Sequence, residues 1–287
     1  MPSSSSSTAQ QARQHLADQL REIRLGAGLT GKALAKAAGW HGVSKVSKIE
    51  HGMRPASAED VRTWCRVCGV SAERSEELLA EQCAAAGMWV TYQRLHRAGL
   101  RQAQASVRPS YEQSSLVRSY QPRIVPGLLQ TAGYTGAILS AVRDRHAVPV
   151  DDVEAAVAER MDRQNVLRRA GHRFLFVVEE AVLRYRICDA ETMIGQLTHL
   201  GEAMRIPSVS LAVIPLAADR VNTLAVEAFT MFDDKQVRVE LVSGLLTITQ
   251  PREVAMYAER FAALSAAAVT GARARALISA AVDALSE

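Results

Sequence analysis

A cluster of basic side chains between residues 29 and 54 is the strongest chemical signal in the sequence. Against one acidic residue, Glu50, this stretch holds five basic ones: Lys32, Lys36, Lys45, Lys48 and Arg54. Such a cluster favours binding to the phosphate backbone of a nucleic acid, because each phosphate that a cation neutralises releases condensed counterions. A solvated helix face is the other interpretation of a charge run, and the charges alone do not decide between the two.

Two short motifs have the spacing of ligand sites but lack the surroundings that such sites need. Residues 26–31 match the glycine pattern of a dinucleotide-binding loop, yet they follow an amphipathic helix instead of a strand. Cys65 and Cys68 have zinc-ligand spacing, but no second pair of ligands follows, and both lie on an apolar stripe. We therefore predict a turn between helices for the first motif and core packing for the second.

The sequence shows no pattern of catalytic residues. Its seven histidines share no metal-ligand spacing, and no nucleophile-elbow or phosphate-loop signature appears. The adjacent acid pairs Glu179-Glu180 and Asp233-Asp234 direct their side chains apart. We expect no enzyme, no metal and no cofactor, although an enzyme of unrecognised type in the second half of the chain stays an alternative.

Length and charge divide the chain into two parts. The 287 residues, 48% hydrophobic and 22% charged, predict about two globular domains. Residues 1–110 hold 15 lysines and arginines against 9 acidic residues, whereas residues 111–287 hold 19 against 21. An anionic partner is therefore expected for the first part only. Without a long apolar run or a secretory signal, and with four cysteines, we expect a reduced cytoplasmic protein with no membrane association.

The apolar spacing of the first part predicts a set of short helices. Residues 1–10 are Ser-rich and are expected to be a disordered tail, and residues 11–85 are expected to form five helices. Thr30 is placed to cap the second helix, predicted at 31–38, and a tight turn leads to the third, predicted at 43–51. Helix-turn-helix proteins have this layout and place the later helix in the major groove, which favours DNA as the anionic partner.

The rest of the chain predicts mixed structure, so the overall fold class is α+β. Residues 86–110 are expected to form a linker helix, and residues 111–287 a mixed α+β domain with one small sheet, beginning with a helical stretch near 111–119. Short β-branched and aromatic runs predict four strands, at 174–178, 209–214, 226–232 and 237–242. Further helices are predicted at 151–169, 190–204, 251–268 and 271–285.

Two parts of the chain resemble known protein families. The first domain closely resembles the Xre (Cro/C1-type) helix-turn-helix family at Leu29-Thr30, Leu34-Ala35, Gly39-Trp40 and Ser44 to Gly52. Tyr120 to Pro122, Val125 to Thr131 and Tyr134 resemble the domain of unknown function that follows this headpiece in many actinobacterial regulators. That group is often labelled antitoxin-like, and its genes frequently neighbour a gene for a small partner protein.

The first resemblance implies roles for individual residues. Base reading is expected from the start of the third helix: Val43, Ser44, Lys45 and Lys48. Phosphate contacts are expected from Thr30, Lys32, His51 and Arg54. Lys48 suits guanine O6 and N7, and Val43 suits a thymine methyl group. The resemblance also implies a buried ion pair between Arg24 and Glu50.

The sequence thus predicts a transcriptional regulator that binds double-stranded DNA. We expect a homodimer, because one recognition helix buries too little surface for tight specific binding. The C-terminal domain is expected to mediate dimerisation and to sense a partner or effector. Two alternatives stay open for it, an antitoxin-like role in binding a small neighbour-encoded protein and the sensing of a small molecule. One segment is a candidate ligand or partner site, with packing of a turn as its other interpretation: Tyr120, Pro122, Pro126, Leu128, Gln130 and Tyr134.

Overall fold

The structure, a computed structural model, describes residues 8–221 and 223–286. The chain forms two compact units, the first reaching to Val90 and including residues 246–248, the second made of residues 91–245 and 249–287. Residues 1–10 were predicted to be a disordered tail, and the first seven of them lie outside the described residues. Its last three residues belong to the first helix, which begins at Thr8, so this part of the prediction is wrong.

The first unit contains the five predicted helices. Their bounds are α1 Thr8–Gly26, α2 Gly31–Ala37, α3 Ser44–Glu50, α4 Ala58–Cys68 and α5 Ala72–Met88. They enclose one core in which Leu20, Leu34, Ile49, Trp64 and Leu78 are fully buried. Burial of such side chains contributes about 1.5–3 kcal/mol each, so helices as short as α2 and α3 depend on this core for their stability.

Local signals fix where these short helices begin and end. The Thr30 side chain caps α2 by accepting a hydrogen bond from the Ala33 amide at 3.1 Å. Gly39, with φ of 70°, takes the left-handed conformation after α2. Ser57 and Asp60 form a reciprocal capping box at the start of α4. The turn between α2 and α3 therefore spans residues 38–43.

Strands and further helices follow α5. The strands are β1 Trp89–Thr91, β2 Leu116–Gln121, β3 Arg173–Glu179, β4 Val209–Ile214, β5 Phe229–Phe232, β6 Gln236–Glu240 and β7 Gly244–Ile248. The helices are α6 Tyr92–Leu95, α7 Leu100–Gln113, α8 Ala132–His146, α9 Val153–Arg163, α10 Ala181–Arg184, α11 Ala190–Ala203, α12 Pro251–Ala266 and α13 Gly271–Ser286. Short 3₁₀ helices occupy Gly127–Leu129 and Gln164–Arg168.

The second unit is built on a mixed sheet whose strands lie in the order β6-β5-β2-β3-β4. β2, β3 and β4 are parallel, with Val117 opposite Phe174 and Phe174 opposite Val209. β5 runs antiparallel to β2 and β6. The core of the unit combines these strands with α11 and α13, including the buried Leu197 and Ile278. The α+β class is thereby confirmed.

The prediction of one small sheet is imprecise, and two helical predictions are wrong. The described residues hold seven strands, of which β1, β2 and β7 were not predicted. The stretch 111–119 is helical only to Gln113, because β2 is hydrogen-bonded on both sides, by β3 and β5. Residues 86–110 do not form one linker helix, since Gly99, with φ of 95°, separates α6 from α7.

Two negative findings apply to the described part of the chain. None of its helices has the length and apolar character needed to cross a membrane. Within the same residues, no group of three or more His, Cys, Asp and Glu side chains is arranged to hold a metal ion. Cys65 and Cys68, the pair with zinc-ligand spacing, instead pack in and against the core of the first unit.

Candidate nucleic-acid interface

One face of α3 is buried and the other is open to solvent. Val46 and Ile49, three residues apart, are each 1% exposed in the core of the first unit. Ser44, Ser47 and Lys48 are exposed on the opposite side of the helix. Two of these three were predicted to read bases, and Ser47 was not. Ser47 follows Ser44 by three residues, and this helical spacing could have placed it on the same face.

A buried ion pair joins the end of α3 to α1. Arg24 Nε donates to Glu50 Oε1 at 2.5 Å, and Nη2 donates to Glu50 Oε2 at 3.0 Å. The third guanidinium nitrogen, Nη1, donates to the Leu29 carbonyl at 2.7 Å. The hydrogen bond to Glu50 raises the pKa of Arg24 above its ordinary value. This two-bond geometry fixes orientation as well as distance, so Glu50 sets how α3 lies against α1.

Lys45 has partners inside the first unit. Its Nζ lies 2.5 Å from Asp60 Oδ1 on α4 and 4.1 Å from the centre of the Trp40 ring. Burial by itself raises the pKa of Asp60, but hydrogen bonds from Lys45 and Ser57 outweigh it and leave the pKa below its ordinary value. Lys45 is therefore half-buried and paired, unlike the other predicted base-reading residues.

Val43 lies just before α3, where it contacts the start of α2. Its side chain is 48% exposed. A β-carbon on Gly31 would approach Val43 Cγ2 to 3.1 Å, closer than ordinary van der Waals contact. The glycine thus makes room for Val43 between the two helices. The exposed part of the valine side chain is free to meet an apolar group such as a thymine methyl.

The four predicted phosphate-binding residues all lie on the surface of the first unit: Thr30, Lys32, His51 and Arg54. Thr30 uses its hydroxyl oxygen to cap α2, which leaves the hydroxyl proton available. His51 Nδ1 forms a hydrogen bond with the Ser47 carbonyl oxygen at 2.7 Å. Since a carbonyl oxygen can only accept, Nδ1 is the donor. His51 can therefore donate to a phosphate only through Nε2, and only when its ring carries both protons.

The candidate ligand segment of the second unit packs into the interior. Of its six residues, only Pro122 is half-buried, and the other five are buried. Gln130 Nε2 donates to the Val125 carbonyl at 2.7 Å, and the Tyr134 hydroxyl accepts from the Val125 amide at 3.3 Å. The Tyr120 hydroxyl donates to Glu179 Oε1 at 2.6 Å. These bonds are those of a structural turn, as in the second interpretation of the segment.

Comparison with known proteins identifies both parts of the chain. A family described as Domain of unknown function (DUF5753) matches residues 110–280. A second family, described as Helix-turn-helix domain, matches residues 15–78. No curated protein matches significantly. Among solved structures, the archaeal chromatin protein TrmBL2, described as showing a novel mode of DNA binding, is 11% identical, covers 90% of this chain and 100% of its own, and has a TM-score of 0.29.

Removing one member of the Arg24–Glu50 pair is expected to destabilise the first unit more than removing both. Glu50→Ala leaves a buried guanidinium unpaired and is expected to lower the free energy of unfolding by about 3–5 kcal/mol. The double variant Arg24→Met/Glu50→Leu keeps apolar packing and is expected to lose much less. Urea unfolding followed by the fluorescence of the three tryptophans, Trp40, Trp64 and Trp89, measures both values.

The exposed pair Arg74–Glu77 on α5 supplies a matched control. Glu77→Ala is expected to change the free energy of unfolding far less than Glu50→Ala does, because water screens the exposed pair. The structural role given to the Arg24–Glu50 pair would be contradicted if Arg24→Met/Glu50→Leu lost as much stability as Arg24→Met and Glu50→Leu lose in sum when each is made alone.

Asp60 is expected to make the stability of the first unit depend on pH in the acidic range. Because its pKa is lowered in the folded chain, the carboxylate stabilises the fold above the ordinary pKa of about 3.9. This contribution is lost as pH falls through the folded-state pKa. Asp60→Asn and Lys45→Met are both expected to flatten the profile of unfolding free energy between about pH 5 and pH 2. A profile for Asp60→Asn parallel to that of the unchanged chain would show that Asp60 makes no such contribution.

Proposed function

The chain belongs to the DUF5753 family, and from its helix-turn-helix domain, together with the exposed face of α3, we propose that it is a cytoplasmic, sequence-specific DNA-binding transcriptional regulator. The observation that carries the proposal is the exposure of Ser44, Ser47 and Lys48 on one face of α3, within the helix-turn-helix domain of residues 15–78. An α-helix fits the major groove of B-form DNA, where the base edges differ from one another.

We assign the residues of this face by their chemistry. Lys48 donates to guanine O6 and N7, Val43 contacts a thymine methyl, and the serine hydroxyls bind polar base edges. The phosphate contacts come from the surface around the two helices: Thr30, Lys32, His51 and Arg54. These contacts supply affinity and register, whereas the contacts of α3 supply specificity.

Lys45 has a different role in this proposal from that of the other three predicted base readers. Its ion pair with Asp60 and its position over Trp40 connect α3 to α4 and to the turn after α2. A contact to a base would require this pair to break. We therefore assign Lys45 to positioning α3 instead of reading a base edge.

The proposal includes a homodimer in the Xre (Cro/C1-type) manner. One module buries little surface on DNA, and two-fold pairing on a palindromic site doubles the contacts. The second unit then mediates dimerisation and senses a partner or an effector, with no enzymatic step. An antitoxin-like role, in which a small neighbour-encoded protein binds this unit, is the second form of the proposal, and co-purification of such a chain supports it.

Lys48→Ala is expected to weaken binding to the specific site by about 1–3 kcal/mol and to relax the preference at one base pair. Lys32→Ala is expected to weaken binding to all sequences alike and to reduce the slope of log affinity against log salt by about 1. Selection of binding sites from a random duplex library, followed by affinity measurements at several salt concentrations, separates the two effects.

The matched control for charge is Lys235→Ala, an exposed lysine in the turn between β5 and β6. It removes the same charge from the second unit and is expected to leave both affinity and preference unchanged. The assignment of α3 fails if Lys48→Ala selects the same sites, with the same preference at every position, as the unchanged chain.

A further inference from the structure

Three arginines of the second unit surround Tyr111 of α7. Arg160 and Arg163 lie on α9, and Arg238 lies on β6; we call these three residues the arginine cluster. The guanidinium group of Arg163 stands over the Tyr111 ring at 5.5 Å and the residue is 5% exposed. A concentration of three positive charges in a largely buried place needs compensation, because desolvation disfavours each charge.

The hydrogen-bond partners of Arg160 and Arg163 are all uncharged. Arg160 Nε and Arg163 Nη2 donate to the same oxygen, Gln104 Oε1, at 3.0 and 3.3 Å. Arg160 Nη1 donates to Gln130 Oε1 at 2.5 Å, and Arg163 Nη1 donates to the Gln104 carbonyl at 2.9 Å. Two guanidinium groups thus converge on one neutral amide oxygen. Within residues 8–221 and 223–286, none of these three arginines forms a salt bridge, although the carboxylates of Glu159 and Glu240 lie near enough to act on Arg163 and Arg160 at longer range.

Several donors of the arginine cluster are buried without an acceptor. Across the described part of the chain, Arg163 Nε and Arg238 Nε and Nη1 have no hydrogen-bond partner. Such atoms are few in folded proteins, and each one calls for a specific reason. Burial lowers the pKa of Arg163 and of Arg238, and lowers that of Arg160 to about 10. The carboxylate of Glu159 raises the pKa of Arg163 and that of Glu240 raises the pKa of Arg160, but burial outweighs both. An anion in direct contact with the guanidinium groups would act in the same direction as these carboxylates.

The aromatic rings beside the arginine cluster compensate part of its positive charge but do not accept its hydrogen bonds. Arg163 stands over Tyr111, and Arg238 stands over Phe232 at 5.5 Å. A ring face attracts the cation, but it does not accept the N–H groups that point outward in the guanidinium plane. The donors that lack partners are therefore left for an acceptor that lies in that plane.

Gly127 leaves one side of the arginine cluster without a side chain. A β-carbon at this position would lie 3.8 Å from Arg163 Nη2 and 3.9 Å from Arg160 Nε, in ordinary contact. The backbone of the turn that holds Gly127 and Gln130 therefore borders two guanidinium groups directly. Gln130 is one of the six residues that the sequence predicted as a candidate ligand or partner site.

We propose that the arginine cluster binds a small organic anion through a phosphate or carboxylate group. Guanidinium groups match both groups in geometry, because two parallel N–H donors meet two oxygen atoms. The anion supplies the negative charge and the acceptors that the neutral glutamines do not. A role as the effector site of a regulator rests on the proposed function, whereas the binding of the anion does not.

Isothermal titration calorimetry of the full chain with sodium phosphate, and separately with sodium acetate, tests the proposal at constant ionic strength set by sodium chloride. Saturable binding of one or both anions is expected. Arg163→Gln and Arg238→Gln are each expected to weaken it by about ten-fold or more, since each removes a charged donor. Arg168→Gln removes the same charge from an exposed position just after α9 and is expected to leave the affinity unchanged.

The outcomes distinguish a phosphate ligand from a carboxylate ligand, and they test anion binding independently of DNA binding. Binding of phosphate alone indicates a phosphate-bearing ligand, and binding of acetate alone indicates a carboxylate. The proposal is overturned if neither anion binds, or if Arg163→Gln and Arg238→Gln bind as tightly as the control. Arg238→Lys keeps the charge but loses the paired donors, so it supplies a second test where a glutamine variant fails to fold. Because the titration contains no DNA, a failure here leaves the DNA-binding proposal standing, and the reverse also holds.

Discussion

The orientation of α3 is set by the packing of Val46 and Ile49 into the core of the first unit. In a helix of seven residues, burying one side leaves few positions for contact with anything else. The buried side therefore decides that Ser44, Ser47 and Lys48 face solvent together. The bond between Arg24 and Glu50 adds orientation to this packing, because its two parallel hydrogen bonds hold the end of α3 at one angle to α1.

The buried arginines of the two units differ in the charge of their hydrogen-bond partners. In the first unit Arg24 has a carboxylate partner and a carbonyl acceptor, so its charge is compensated within the fold. In the second unit Arg160 and Arg163 share a neutral amide oxygen. A buried charge that a protein uses for its own stability is expected to be paired. The contrast is why we give Arg24 a structural role and the arginine cluster a binding role.

The sequence predicted best what local spacing determines. The cap at Thr30 and the apolar spacing of α2 and α3 are short-range features, and these two helices lie within one residue of their predicted bounds, 31–38 and 43–51. The strand β2 was missed because its position between β3 and β5 depends on residues more than fifty positions away. For the same reason, the pairing of Lys45 with Asp60 and the gathering of the arginine cluster around Tyr111 were not predicted.

Dimethyl sulfate footprinting of the full chain on its selected duplex shows whether α3 lies in the major groove. The reagent methylates guanine N7 in the major groove and adenine N3 in the minor groove, so it reports which groove the protein occupies. We expect protection of guanine N7 at two places about one helical turn, or a multiple of it, apart. Protection of adenine N3 alone, or no protection at saturating protein, would contradict the placement of α3 in the major groove.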